Sequence, residues 1–320
     1  MAISRRDLLK RAAVAGAATL VAGRAEARHA KEPEPEGVGM LFDASRCVGC
    51  RACQSACKAA NELPPDRVQA NGGEYDAPTD LNATTKNVIK QFSDGERHAY
   101  MKQQCMHCVD PSCVSACMLG ALHKEGESKR SIEGEQKGSG IVLYDKWTCV
   151  GCRYCQLACA FNVPKFEWDE PLPLIVKCEL CRHRKREDAP AGSPLAVANP
   201  ACCEVCPAEA VIYGRRAELL AEAKRRLAAE PDRYNGGIYG ERDGGGTSVL
   251  YLSPKGITFQ DLGLPALPEH SSAQFSEAVS HAPYLYGATP IVLYGALAFI
   301  VKRNKDREEA ASHHEEEDKR

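Results

Sequence analysis

The run Cys47-Val48-Gly49-Cys50-Arg51-Ala52-Cys53-Gln54-Ser55-Ala56-Cys57 recurs almost unchanged as Cys149-Val150-Gly151-Cys152-Arg153-Tyr154-Cys155-Gln156-Leu157-Ala158-Cys159, differing only at Ala52/Tyr154 and Ser55/Leu157. Both are C-x2-C-x2-C-x3-C, a spacing in which three thiolates grip one iron–sulfur cubane while the fourth reaches a different one. A short looping run aims three sulfurs at three corners of one cube, and the last cysteine points away into the following segment. The spacing therefore predicts a chain that holds several redox clusters.

The remaining cysteines extend the pattern. Of 17 in all, the two runs take eight. A third set is Cys105, Cys108, Cys113 and Cys117, with Pro111 inside its longer gap. A fourth begins with Cys178 and Cys181 and resumes, after a long excursion, in Pro200-Ala201-Cys202-Cys203-Glu204-Val205-Cys206-Pro207. The third and fourth sets share Pro-x-Cys-x3-Cys (Pro111, Cys113, Cys117 and Pro200, Cys202, Cys206). That match assigns Cys202 and Cys206 as ligands and leaves Cys203 as a non-ligand. Sixteen ligands, four to a cluster, make four 4Fe–4S cubanes. Disulfides suit an exported protein, but cysteines three residues apart make poor staples. Zinc prefers two separated Cys-x2-Cys pairs per ion, and only the fourth set has that form.

The elements that must position these thiols are short. Gly37 to Asp43 (GVGMLFD) and Gly140 to Asp145 (GIVLYD) are apolar runs that each enter a cysteine run, and they read as equivalent first strands of two units. The predicted fold class is α+β: a duplicated bacterial ferredoxin-like 2×(4Fe–4S) body with insertions, over residues 37–252. Residues 28–36 form a Pro/Glu-rich leader. A polar insertion from Glu62 to Gln104 is long enough to suggest a partner-contacting loop over one cluster. Ala217 to Ala229 reads as a helix with Leu219, Leu220, Ala223 and Leu227 on one face, ended before Pro231. Ser248 to Leu252 reads as a strand, and 253–283 as a Pro/Ser-punctuated linker. The glycines of Gly236 to Gly246 lack the strand-to-helix setting of a phosphate loop. No nucleophile–base arrangement is present. His107, inside Cys105-Met106-His107-Cys108, either tunes its cluster by outer-shell hydrogen bonding or fills the turn. Trp147 and Trp168 read as packing residues more than as electron relays.

Both ends carry further information. Ser4-Arg5-Arg6-Asp7-Leu8-Leu9-Lys10, an apolar run from Ala12 to Ala22 and the small-residue site Ala25-Glu26-Ala27 make residues 1–27 a twin-arginine signal segment. That route carries folded, cofactor-loaded proteins, so clusters can be inserted into reduced thiolates before the chain reaches an oxidising periplasm. Residues 284–301 (YLYGATPIVLYGALAFIV) are uncharged, and at ~1.5 Å per residue they span about 27 Å, enough for one transmembrane helix. Tyr284 and Tyr286 sit at an interfacial level, and Lys302, Arg303, Lys305 and Arg307 follow, which puts the charged 302–320 tail in the cytoplasm and the body in the periplasm. A formal net charge of −2 excludes a strongly basic nucleic-acid surface.

The cysteine pattern, together with CVGCRYCQLACAFNVPKFEW (149–168), KCELCRHR, PACCEVCPAEAVIYG and GGTSVLYLS, resembles the four-cluster, ferredoxin-like subunits of respiratory oxidoreductases. Within them it looks most like the hydrogenase-2 electron-transfer type, and next like the formate dehydrogenase β type, which ends in a membrane span but normally lacks a twin-arginine signal. The resemblance implies a non-catalytic subunit that relays electrons from the small and large subunits of a nickel–iron hydrogenase to a multi-span quinone-reactive membrane subunit. It also implies the cluster pairing: Cys47, Cys50, Cys53 with Cys206; Cys178, Cys181, Cys202 with Cys57; Cys105, Cys108, Cys113 with Cys159; and Cys149, Cys152, Cys155 with Cys117. Met118 and Ala160 depart from the family, which usually has proline after the last cysteine.

Overall fold

The computed structural model describes residues 29–66, 73, 75, 77–126, 138–171, 173–184, 199–276, 294–295 and 297–303. The expected signal segment, 1–27, lies outside them. Of the expected span 284–301, only 294–295 and 297–301 are described, and all are helical. No helix among the described residues is long and apolar enough to cross a membrane. Residues 29–274 form one unit, and the C-terminal helical residues belong to another.

The apolar run VGMLFD becomes β1 (Val38–Asp43), buried along its whole length, as a strand covered on both faces must be. It is the middle of a three-stranded sheet. β8 (Val211–Arg215) flanks it antiparallel, with Met40 opposite Tyr213. β9 (Val249–Leu252) lies parallel on its other side, with Phe42 opposite Tyr251. Alternation along β1 sorts the two faces. Leu41 meets Leu219 and Ala223 of α5 (Arg216–Ala229) together with Leu250 and Leu252. Met40 and Phe42 face the opposite way, into an interior shared with Cys53, Cys105, Cys178 and Cys202. One sheet face is sealed by a helix, and the other is lined with thiols.

The second expected first strand also forms. β5 (Val142–Tyr144) pairs antiparallel with β4 (Leu122–Lys124), with Leu122 opposite Tyr144. The two units thus share a plan: a strand enters a C-x2-C-x2-C-x3-C run, and a strand leaves a Pro-x-Cys-x3-Cys turn. Each run continues into a short helix, α1 (Ala52–Ala60) and α3 (Tyr154–Ala158). Each Pro-x-Cys-x3-Cys turn opens another, α2 (Ser112–Ser115) and α4 (Ala201–Glu204), with Pro111 and Pro200 as extended N-caps. α1 packs on α4, and α2 packs on α3. α3 is shorter than α1 because the chain turns extended at Cys159 (φ −82°, ψ 111°).

Two expectations need correction. The 62–104 insertion is not only loop. It contains a hairpin, β2 (Val88–Ser93) and β3 (His98–Gln103), with Val88, Ile89, Met101 and Lys102 buried. Lys90, Gln91 and Lys102 interrupt the apolar pattern, so the strands were hidden in the sequence. The linker reading of 253–283 fails over its first part, because Ile257, Leu262, Leu264 and Ala273 are buried in the body. Tyr239 Oη donates to the Pro265 carbonyl at 2.7 Å, and the Gly244 amide to the Pro268 carbonyl at 2.7 Å. The body therefore runs past Leu252 to Gln274. The remaining short elements are the pair β6 (Lys165–Phe166) and β7 (Ile175–Val176).

Candidate cluster-binding site

All 17 cysteines are free thiols, and their electrostatic neighbours sort them into four groups, with Cys203 in the second beside Cys202 and Cys181. Cys47 lies against Cys50 and Cys206, and Cys53 lies near Cys47 and Cys206. Cys57 is surrounded by Cys178, Cys181 and Cys202. Cys108 is beside Cys105, Cys113 and Cys159. Cys155 is beside Cys117, Cys149 and Cys152. In each group, the fourth thiol comes from within or just after the short helix of a different sequence set, in keeping with the packing of α1 on α4 and of α2 on α3.

The same local turn builds all four groups. The residue just before the second cysteine has positive φ in every set: Gly49 (70°), His107 (45°), Gly151 (69°) and Leu180 (50°). This left-handed kink turns its backbone N–H back onto the first sulfur of the set. Gly151 N–H donates to Cys149 Sγ and Leu180 N–H to Cys178 Sγ, both at 3.4 Å. The amides of Gly49 and His107 reach Cys47 and Cys105 likewise. Glycine marks the turn in the two long runs. His107 and Leu180 adopt it without glycine, at a cost of about 1 kcal/mol each by the usual left-handed penalty. The kink at those positions carried no sequence signal. A Cβ on Gly49 would also lie 2.4 Å from the Tyr100 ring.

The groups form a line. Cys53 of the first lies near Cys202 of the second. Cys178 of the second lies near Cys105 of the third. Cys113 of the third lies near Cys155 of the fourth. Only the two end groups hold an exposed cysteine, Cys50 at one end and Cys152 at the other. A small cavity is ringed by Cys47, Cys50, Cys53 and Cys206, with Ile89 of the β2–β3 hairpin in its wall. A larger apolar hollow is lined by Cys117, Cys149, Cys152 and Cys155.

Burial sets the electrostatics. It pushes the thiols of Cys47, Cys105, Cys155 and Cys181 up to about 11, and those of Cys53 and Cys57 to about 12. Cys202 is the exception. Its hydrogen bond from Cys203 pulls it below the ordinary thiol value against the effect of burial, and Lys102 acts in the same direction. Three lysines are buried among the groups: Lys102, Lys124 and Lys177. Burial pulls the Lys102 ammonium down, but Cys202, Cys53 and Cys178 outweigh it and hold it well above the ordinary lysine value. Buried thiols beside buried cations fit an anionic iron–sulfur group, because iron deprotonates a coordinating thiol outright and the cations then meet negative charge. Bound there, such a group supplies one-electron redox chemistry.

His107 fills its turn and also carries structure: Nδ1 accepts the Val142 N–H at 3.0 Å, which fixes β5 to the third group. Its Nε2 is buried and has no hydrogen-bond partner among the described residues. Neither tryptophan is in the core. Trp147 is exposed, and Trp168 is exposed beside the fourth group, edge-on to Phe166 with the Arg153 guanidinium 4.7 Å from its ring centre. The expected non-ligand Cys203 sits one residue after the buried Cys202, at the place that Val114 takes after Cys113.

The fold and the thiol groups define a ferredoxin-like iron–sulfur protein, and comparison with known proteins agrees. Residues 97–216 match a family described as a 4Fe-4S dicluster domain, and residues 38–59 match a 4Fe-4S binding domain. The chain is 36% identical to Hydrogenase-2 operon protein HybA of Escherichia coli O157:H7, over 98% of this chain and 100% of that protein. It is 30% identical to the Formate dehydrogenase-O iron-sulfur subunit of Escherichia coli K12, over 99% of both chains. It is 33% identical to the nitrate-inducible formate dehydrogenase iron-sulfur subunit of the same strain, over 79% of this chain and 77% of that one. The chain belongs to the hydrogenase-2-type family of iron–sulfur electron-transfer subunits, which serve oxidoreductase complexes and are not catalytic by themselves.

Proposed function

We propose that this subunit is a one-electron wire of four 4Fe–4S clusters between a periplasmic nickel–iron hydrogenase and a quinone-reactive membrane subunit. The observation that carries this reading is the linear order of the four thiol groups, with an exposed cysteine only at each end. A carrier that met one partner at a time would need one surface group. A line with two surface ends suits a bridge that takes electrons at one and releases them at the other. The sixteen cysteines of the four groups are the proposed ligands, paired as they lie together, and Cys203 is left out.

Similarity over the whole chain to Hydrogenase-2 operon protein HybA supports hydrogenase as the source of electrons. The Arg5-Arg6 segment supports export of the folded, loaded protein. The uncharged run 284–301 supports an anchor at the periplasmic side of the inner membrane. A single span gives little room for a quinone pocket, so a separate multi-span partner is proposed. A second reading, the same wire in a molybdopterin enzyme such as formate dehydrogenase, is favoured by the 30% identity to a formate dehydrogenase iron-sulfur subunit along 99% of the chain.

Deleting the gene for this subunit decides between them. Hydrogen-dependent quinone reduction should disappear, while hydrogen oxidation with an artificial dye, which takes electrons upstream, should persist. Survival of quinone reduction would exclude the hydrogenase bridge. A defect linked to formate in its place would establish the second reading.

A further inference from the structure

Lys102 is the last but one residue of β3, and its side chain is 1% exposed. It enters the interior between the first and second thiol groups. Its ammonium donates to the Gln104 side-chain oxygen and lies near enough to act on the thiols of Cys47 and Cys53 of the first group and of Cys57, Cys178 and Cys202 of the second. Among the described residues, no carboxylate lies within ion-pair distance of it. Apart from the cysteines, the neighbouring polar groups supply no negative charge: Gln104 is an amide, and its nitrogen turns to Met40 Sδ at 3.1 Å. Tyr251 Oη donates to the Lys102 backbone carbonyl at 2.6 Å, which fixes the strand from which the side chain departs. Other interior cations illustrate the contrast. Lys58 has Asp66 at 2.7 Å, and Arg226 has Asp43 at 3.0 Å. A fully buried ammonium without a carboxylate is costly unless another anion faces it.

We propose that Lys102 is the shared counter-charge of the first two clusters of the wire, placed by the β2–β3 hairpin to raise the reduction potentials of both. The inference rests on the four-cluster reading. Each one-electron reduction adds one negative charge to a site, taken from the preceding member of the line and passed to the next. A fixed positive charge nearby favours that added electron, and in a buried setting it is weakly screened. Net charge and burial are among the properties that tune such potentials. Because Lys102 lies between the first two groups, it acts on both and not on the third and fourth. It also gives the insertion between the first and third cysteine sets a role inside the wire.

The test is a potentiometric titration, followed by electron paramagnetic resonance, of the full-length protein purified anaerobically with its clusters. Lys102→Gln and Lys102→Met remove the charge, and Lys102→Arg keeps it. In the neutral variants, two of four midpoints should fall by at least a tenfold shift in the reduction equilibrium, ~59 mV for a one-electron couple. The other two should stay in place, and Lys102→Arg should remain near the parent values. If both neutral variants instead lose two clusters by iron analysis while Lys102→Arg keeps them, the same counter-charge is read from content. Unchanged midpoints in the neutral variants, an equal shift of all four, or an Arg variant that behaves like Met would overturn the proposal. A parent protein with fewer than four clusters would fail separately, at the reading on which the proposal rests.

Discussion

At the scale of single residues, the site is decided by which sulfurs a turn can aim. The kink before each second cysteine directs an N–H at the first sulfur, and such hydrogen bonds to sulfur help set a cluster's potential. In the fourth set, two neighbouring cysteines compete for one place. Cys202 occupies the buried helical position that Cys113 takes in the third set, whereas Cys203 corresponds to Val114 and packs against the core from its edge. Cys203→Val should therefore keep every cluster, while Cys202→Ala should lose one of them, about four irons per chain. Cys203 hydrogen bonds Cys202 and is near enough to substitute as a ligand, so the double variant Cys202→Ala/Cys203→Ala completes the series. Iron analysis with electron paramagnetic resonance reads all three. Loss of a cluster in Cys203→Val with retention in Cys202→Ala would reverse the assignment. The proposed ligands stand out in the sequence because cubane geometry fixes their spacing. The lysines between the groups were not, because Lys102 and Lys177 look like any charged residue until the fold buries them.

At the scale of elements, α5 is held to β1 by a clamp as well as by packing. Arg226 donates to Asp43 at 3.0 Å and to Glu222 at 2.8 Å, and Tyr234 Oη donates to the same Asp43 oxygen at 2.8 Å. The Asp43 side chain is fully buried and that of Arg226 nearly so. Removing one member of a buried pair costs up to about 3–5 kcal/mol, and here less than the full amount, because Arg46 remains 3.4 Å from the Asp43 carboxylate. Arg226→Met should lower the thermal midpoint by roughly 10 °C for a body of this size, measured as loss of cluster absorbance on heating. Asp43→Asn added to Arg226→Met should recover part of the loss, since the buried charge is then gone. An unmoved midpoint in Arg226→Met would show that α5 is held by its apolar face alone. That face was readable, because Leu219 and Ala223 recur at helical spacing. The hairpin and the 254–274 strap were not. Their buried residues are single anchors between polar or proline positions, and only the tertiary fold gives such anchors something to bury against.

At the scale of the whole molecule, the interior is too poor in large side chains to explain its own order. Aromatic residues are 6% of the chain, and the main core cluster counts Cys53, Cys105, Cys178 and Cys202 among its buried members. Without iron, burial keeps Cys53, Cys105 and Cys178 as neutral thiols around hollows, and Lys102 is a buried cation with no carboxylate. On the four-cluster reading, iron would cross-link each group through four ligands from two or three distant stretches of sequence, and the cations would meet negative charge. Metal-binding energy is then folding energy, which is how a body built from strands of six residues or fewer stays assembled. Two outcomes follow for the anaerobically purified protein. It should carry about sixteen irons, from four cubanes of four, and slow removal of iron with a chelator under reducing conditions should unfold the body rather than leave a stable apoprotein. The second outcome is read by near-ultraviolet circular dichroism and by protease sensitivity of the 29–274 unit. The helix α5, which packs on the thiol-free face of the sheet, should be the last part to lose protection in hydrogen exchange. An iron content near eight would remove half of the wire. An apoprotein with undiminished protection at β1 and α1 would show that the polypeptide, and not its clusters, specifies the interior.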